Sequence, residues 1–191
     1  MPRGSFSWSS GSCASSRASG GRSTGSRALR VGAAALGVLA LSAALASPRH
    51  KPLAWNLTPS LPEGLYVRSI LEAPAVGRTV AILTPPAVAD YYRRIGAGAD
   101  LPTVLKPLAA GPGDHVCVAG GGLAINGRFV ARVARTDRNG VPLPRWDGCR
   151  ALGVDEWFTY APRIPNSLDG RYYGPVREAD IVGVYRPAWT D

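Results

Sequence analysis

The sequence predicts a mainly β domain of about 140 residues with one short helix, carried behind a single N-terminal transmembrane helix. Three observations predict it. From residue 50 onward, short runs of β-branched and aromatic residues are separated by turn formers. Glycine and proline number 23 and 17 in 191 residues, which favours short strands and many turns over long helices. Residues 31–46, VGAAALGVLALSAALA, carry no charge at all.

In chain order, residues 1–27 are rich in Ser, Gly and Arg and too poor in apolar side chains to bury a core, so they are expected to be a disordered tail. Residues 28–47 form the apolar segment, close to the roughly 20 residues that a bilayer requires. Arginines ahead of it orient an anchor with its N-terminus in the cytoplasm. The small residues of SAALA also suit a cleaved signal peptide, and the Arg- and Ser-rich, acid-poor start suits an organellar transit peptide. In the first two cases residues 50–191 form a domain outside the cytoplasm.

That domain opens on WNLTPSLPEGLYV, residues 55–67. Pro59 and Pro62 fix φ, lack a donor and push their predecessors toward extended geometry, so the stretch is expected to be stiff and extended. It is either a proline-punctuated loop or a device that holds the Ser60 hydroxyl at a set angle. GLYVRSI and RTVAILT read as strands, and AVADYYRRIGAG, residues 87–98, as the helix, ended by glycines. DHVCVAGGGLAINGRFVARVA reads as two or three strands joined by Gly-rich and Asn-Gly turns. WFTYAP and DIVGVYRP add further strands.

The formal charge is +9, carried by 20 arginines and two lysines, Lys51 and Lys106. Such a balance suggests nucleic acid. Five of the arginines, with no acidic residue, lie in positions 1–30, so much of the excess belongs to the tail and no nucleic-acid partner is expected. Cys117 and Cys149, in a domain facing an oxidising compartment, are either a disulfide or a pair of buried thiols. With no CxxC and only His50 and His115, no metal site or other cofactor is expected.

In a chain that uses arginine for nearly all its positive charge, Lys106 stands out between Leu105 and Pro107. Arginine cannot give up its proton, whereas a desolvated lysine can work as a general base near neutrality. The alternative is an ordinary snorkelling lysine. In NSLDGRYYGPV, residues 166–176, Ser167, Asp169 and Arg171 alternate, so an extended segment would face all three one way. Asp169 and Arg171 would then pair bidentately, either as a brace or as a surface ion pair.

Three stretches in order, TPSLPEGLY around Ser60, KPLAAGPGD from Lys106 to Asp114, and SLDGRYYGPV, resemble the serine–lysine type I signal peptidases. NLTPSLPEGLY and the cysteines of HVCV and DGCR resemble that family's conjugative-transfer, TraF-like branch. The likeness covers roughly residues 50–185 and implies a signal-peptidase-like β-fold catalytic domain. By position, it implies Ser60 as nucleophile, Lys106 as general base, and Asp169 as a third active-site member. Thr58 and the Ser60 N–H would form the oxyanion hole, Ser167 and Asp169 would orient the lysine, and Arg171 would brace Asp169. The resemblance implies a serine endopeptidase of the bacterial inner membrane with its catalytic domain in the periplasm. Its partners would be the bilayer and a precursor polypeptide, a conjugative pilin above all, with head-to-tail cyclisation within the branch's reach. The alternatives are a general leader peptidase and a non-enzymatic β module of a secretion or conjugation apparatus.

Overall fold

The computed structural model describes residues 30–33, 36–38, 51–97 and 101–191. The chain divides into two units, Met1–Leu41 and Ser42–Asp191. Helical turns at 30–33 and 36–38 are what is described of the first. The expected tail at 1–27 lies outside the described residues, as does most of the apolar segment at 28–47. Among the described residues no helix is long and apolar enough to cross a membrane.

The second unit is mainly β, as expected. Eleven strands are described: β1 Leu53–Asn56, β2 Gly64–Ser69, β3 Thr79–Leu83, β4 Thr103–Ala110, β5 His115–Ala119, β6 Gly122–Ile125, β7 Arg128–Arg132, β8 Gly148–Ala151, β9 Glu156–Thr159, β10 Val176–Arg177 and β11 Ile181–Thr190. Two α-helices accompany them, α1 Pro86–Arg94 and the single turn α2 Gly170–Tyr173, with a 3-10 turn at Glu178–Asp180. A seven-stranded sheet runs β1-β2-β11-β3-β4-β9-β10, and a four-stranded sheet runs β7-β6-β5-β8. All described pairings are antiparallel.

Strand β4 decides where the chemistry lies. Its inward positions are Lys106, Leu108 and Ala110, so the period of two that buries an apolar face also buries an amine. Thr103 to Pro107 pair with β3, whereas β9 joins the other side of β4 only at Leu108 and Ala110. One edge of the Thr103–Lys106 stretch thus has no strand beside it among the described residues. Pro107 is tolerated in an interior strand because its nitrogen faces the β9 side, where its carbonyl accepts from the Tyr160 N–H at 3.2 Å. Val80, Ile82, Leu108 and Val184 fill the core behind this strand.

Cys117 and Cys149 face each other across β5 and β8 and form a disulfide. It ties β8, an edge strand, to the small sheet across a separation of 32 residues. A Cys117→Ser/Cys149→Ser protein is expected to lose about 3–4 kcal/mol of stability in denaturant titration. An unchanged midpoint would mean that the bond constrains nothing the fold does not already fix.

Two local expectations are corrected. The Ser60 stretch is not an extended strand edge: β1 ends at Asn56, and Thr58 to Leu61 form a turn before β2 begins at Gly64. A proline's fixed φ suits a turn as well as a strand, and here the turn wins because side-chain and backbone bonds close it. Residues 167–171 are not extended either. Asp169 caps α2 by accepting from the Arg171 N–H, which bends the chain into a helical turn. Gly170 permits it, since a Cβ there would lie 2.6 Å from the Thr159 carbonyl oxygen.

Candidate active site

The turn after β1 and the inward face of β4 bring Ser60 and Lys106 together. Lys106 Nζ lies 3.0 Å from Ser60 Oγ and 3.0 Å from Ser167 Oγ. The Ser60 hydroxyl also meets Thr58 Oγ1 at 3.1 Å. Ser60 is 3% exposed and Lys106 7%. Burial disfavours the ammonium and lowers the Lys106 pKa to about 8; the Asp169 carboxylate opposes that shift and the Arg171 guanidinium adds to it. A lysine so placed is half neutral near pH 8 and can accept a proton from an adjacent hydroxyl.

Behind the lysine stands a buried ion pair. Arg171 Nε and Nη2 bind the two Asp169 oxygens at 2.8 and 3.0 Å. The remaining guanidinium donors reach the carbonyls of Arg132, Pro165 and Ser167, at 3.1, 3.2 and 3.0 Å. All five N–H groups of Arg171 are therefore used, and its plane lies over the Tyr160 and Tyr172 rings. Asp169 also accepts the backbone N–H of Ala161 and of Arg171, at 3.1 and 3.2 Å. Its hydrogen bonds go to these groups rather than to Lys106. Its reach to the lysine is electrostatic, and structural through the bond from Arg171 to the Ser167 carbonyl.

Ser60, Thr58, Lys106 and Ser167 line a cleft of about 650 Å³. One wall is the bare edge of β4; another is α1 with the loop 134–143. The Tyr91 hydroxyl donates to Asp137 Oδ2 at 2.7 Å and Arg94 Nη2 to the Pro142 carbonyl at 3.3 Å, which clasps that loop to the helix. Burial and the Asp137 carboxylate push the Tyr91 hydroxyl up to about 12, so the clasp keeps its proton at any ordinary pH.

Asp114, at the end of the lysine stretch, serves the fold. Its carboxylate accepts from the Gly111 N–H and the Asn126 amide, both at 2.9 Å, and these bonds hold its pKa below the usual carboxylate range. His115 lies on β5 and does not line the cleft, and His50 lies outside the described residues. Among the described residues no group of three His, Cys, Asp or Glu side chains is arranged to hold a metal.

Sequence reasoning missed Asn56, whose side chain closes the Ser60 turn. Its Nδ2 donates to the carbonyls of Thr58, Leu61 and Pro62, at 2.8, 3.2 and 3.1 Å. An Asn at a strand end, two residues before a Thr-Pro-Ser turn, was the available signal.

A family model described as signal peptidase, peptidase S26, matches residues 26–189. The chain belongs to that family, whose catalytic class is the serine peptidases. Within the family it falls in the TraF-like branch. It is 34% identical over 146 residues to a plasmid transfer protein TraF of Escherichia coli, covering 71% of this chain and 81% of the relative. It is 32% identical over 168 residues to a conjugal transfer protein TraF of Agrobacterium tumefaciens strain 15955, covering 82% of this chain and 92% of that one. Among solved structures, a signal peptidase I from Enterococcus faecalis V583 matches with a TM-score of 0.36 and 20% identity, over 59% of this chain and 97% of that chain.

Proposed function

We propose that the chain is a membrane-anchored endopeptidase in which Ser60 attacks and Lys106 takes the proton, acting on a precursor of the conjugation machinery. The observation that carries the reading is the pair of 3.0 Å bonds from one buried, pKa-lowered amine to the hydroxyls of Ser60 and Ser167. Ser167 fixes the amine's position, so that its lone pair faces Ser60 Oγ. As Ser60 bonds to the scissile carbonyl carbon, its proton passes to Lys106, which returns it to the leaving amine. Thr58 Oγ1 and the Ser60 N–H are the donors for the oxyanion, each worth roughly 3–4 kcal/mol of barrier. Asp169 and Arg171 are positioning residues that hold Ser167 and tune the charge around the lysine.

The substrate is a polypeptide, laid as an added strand along the bare edge of β4, where main-chain bonds supply affinity. The names of the relatives, plasmid transfer and conjugal transfer protein, favour a conjugative precursor such as a pilin. Resolution of the acyl-enzyme by the precursor's own N-terminal amine would give a circular product. The apolar run at 31–46, the disulfide and the exposed Trp55–Trp189 pair, 5.9 Å apart, support an inner-membrane protein with the domain in the periplasm.

The test is cleavage of candidate precursors, read by mass spectrometry, across pH. Ser60→Ala is expected to be inactive, and wild-type kcat/KM to climb with pH to a plateau above about 8, as the amine loses its proton. A Ser60→Ala protein that cuts normally, or a rate already flat from pH 6, would remove the mechanism. Rescue of a leader-peptidase-depleted strain would instead point to a general leader peptidase.

A further inference from the structure

Asn56 does more than close a turn. It is the last residue of β1 and is 6% exposed. While its Nδ2 faces three carbonyls, its Oδ1 accepts from the Thr58 N–H at 3.3 Å and the Thr58 hydroxyl at 3.0 Å. Carbonyls cannot donate, so only this orientation of the amide satisfies both sides. Thr58 has one hydroxyl proton, and Asn56 takes it. At the contact with Ser60, Thr58 is therefore the acceptor and Ser60 the donor. Ser60 Oγ in turn accepts from Lys106. The order runs from the Lys106 N–H to Ser60, from Ser60 to Thr58, and from Thr58 to the Asn56 carbonyl.

We propose that Asn56 is a positioning residue that sets the direction of this hydroxyl chain, holding the protons of Ser60 and Thr58 away from the reaction until the amine is neutral. The proposal rests on the Ser60–Lys106 reading above. With the ammonium present, two of its N–H groups end on Ser60 and Ser167, each hydroxyl from Ser60 to Thr58 passes its proton to the next acceptor, and each bond polarises the next. This order favours the protonated lysine. When Nζ loses its proton, its lone pair takes the Ser60 O–H. The Ser60 oxygen then bonds to the scissile carbonyl carbon, its proton moves to Nζ, and the carbonyl π pair moves onto oxygen. The Thr58 hydroxyl swings from Asn56 Oδ1 to that oxygen, while the Asn56 amide keeps the turn closed.

The charges that act on Lys106 are those of Asp169 and Arg171, and the substitutions used for the test leave both in place. Asn56→Ala removes the terminal acceptor, so the acid limb of kcat against pH is expected to move down by roughly half a pH unit. The turn is also loosened, and kcat on the plateau is expected to fall roughly tenfold with KM within about twofold. In a Thr58→Val background the same substitution should leave the limb where Thr58→Val alone puts it, since the link is gone. Asn56→Ser keeps a donor for the turn carbonyls, removes the carbonyl acceptor and adds no charge, so its limb should also move down, and should coincide with Thr58→Val alone in that background. This arm carries the test if Asn56→Ala does not fold.

An acid limb for Asn56→Ala that coincides with the wild type overturns the proposal, as does a shift from either substitution that persists in full without the Thr58 hydroxyl. Ser60→Ala and Lys106→Ala run alongside. If they cut normally, the Ser60–Lys106 reading itself has failed; if they are inactive while the Asn56 limb stays still, only the role of Asn56 has.

Discussion

Lys106→Met is expected to abolish cleavage and to make the domain more stable at pH 7. The loss should be at least about 10³-fold, because among the described residues Lys106 is the one basic group bonded to Ser60 Oγ. The gain in stability follows from linkage. In the folded protein the amine titrates near 8, against 10.5 for the free group. Between those values the unfolded chain holds the proton and the folded chain does not, so stability rises with pH across that window. Below about pH 8 the full penalty stands, 2.5 units from the difference 10.5 − 8, or about 3 kcal/mol. Methionine fills similar space with no charge to desolvate. Losing the bonds to the Ser60 and Ser167 hydroxyls returns roughly 1–2 kcal/mol, for a net gain of about 1–2 kcal/mol. Urea titrations of both proteins at pH 7 and pH 10.5 check the sign: the advantage of Lys106→Met should be present at the lower pH and nearly gone at the higher. A variant that is less stable at pH 7 would mean that the amine is not strained by burial.

Arg171→Met should do the opposite and cripple the fold itself. It strands the Asp169 carboxylate in a buried site with only two backbone donors left, those of Ala161 and residue 171. It also leaves the carbonyls of Arg132, Pro165 and Ser167 without that partner. Breaking one side of a buried pair costs about 3–5 kcal/mol, a large share of a small domain's total. Activity should fall with it, since the Ser167 carbonyl that Arg171 grips belongs to the residue that holds Lys106. Pairing the substitution with Asp169→Leu should restore part of the stability, because two apolar side chains desolvate nothing charged. Thermal melts of the single and double variants read the difference. A single variant that melts like the wild type would make the pair a spectator.

The site was more legible than the strands that hold it. Ser60, Lys106 and the 167–171 stretch stood out because each breaks a local rule: a serine between prolines, a rare lysine among apolar residues, a carboxylate beside an arginine. Their meeting was not deducible from spacing. It depends on β4, which alternation hides, because the buried position at Lys106 reads as polar and Pro107 reads as a strand breaker. Strand β8 was missed for a related reason, as GCRA is short and mostly exposed. The shape of the two loops was misjudged because proline restricts φ without choosing between strand and turn. What chooses is the side chains of Asn56 and Asp169, each bonding to backbone a few residues away. The helix was foreseen, yet its clasp to Asp137 spans 46 residues and has no local trace.

Among the described residues, one edge of β4 has no strand beside it from Thr103 to Lys106 and is taken by β9 from Leu108 onward. For any guest chain that zips onto the bare stretch, β9 is an end stop. In the proposed function, that stop would select the peptide unit delivered to Ser60 by counting rungs on a ladder, without reading letters. Precursors of such an enzyme would be free to drift in sequence while the cut stayed in register.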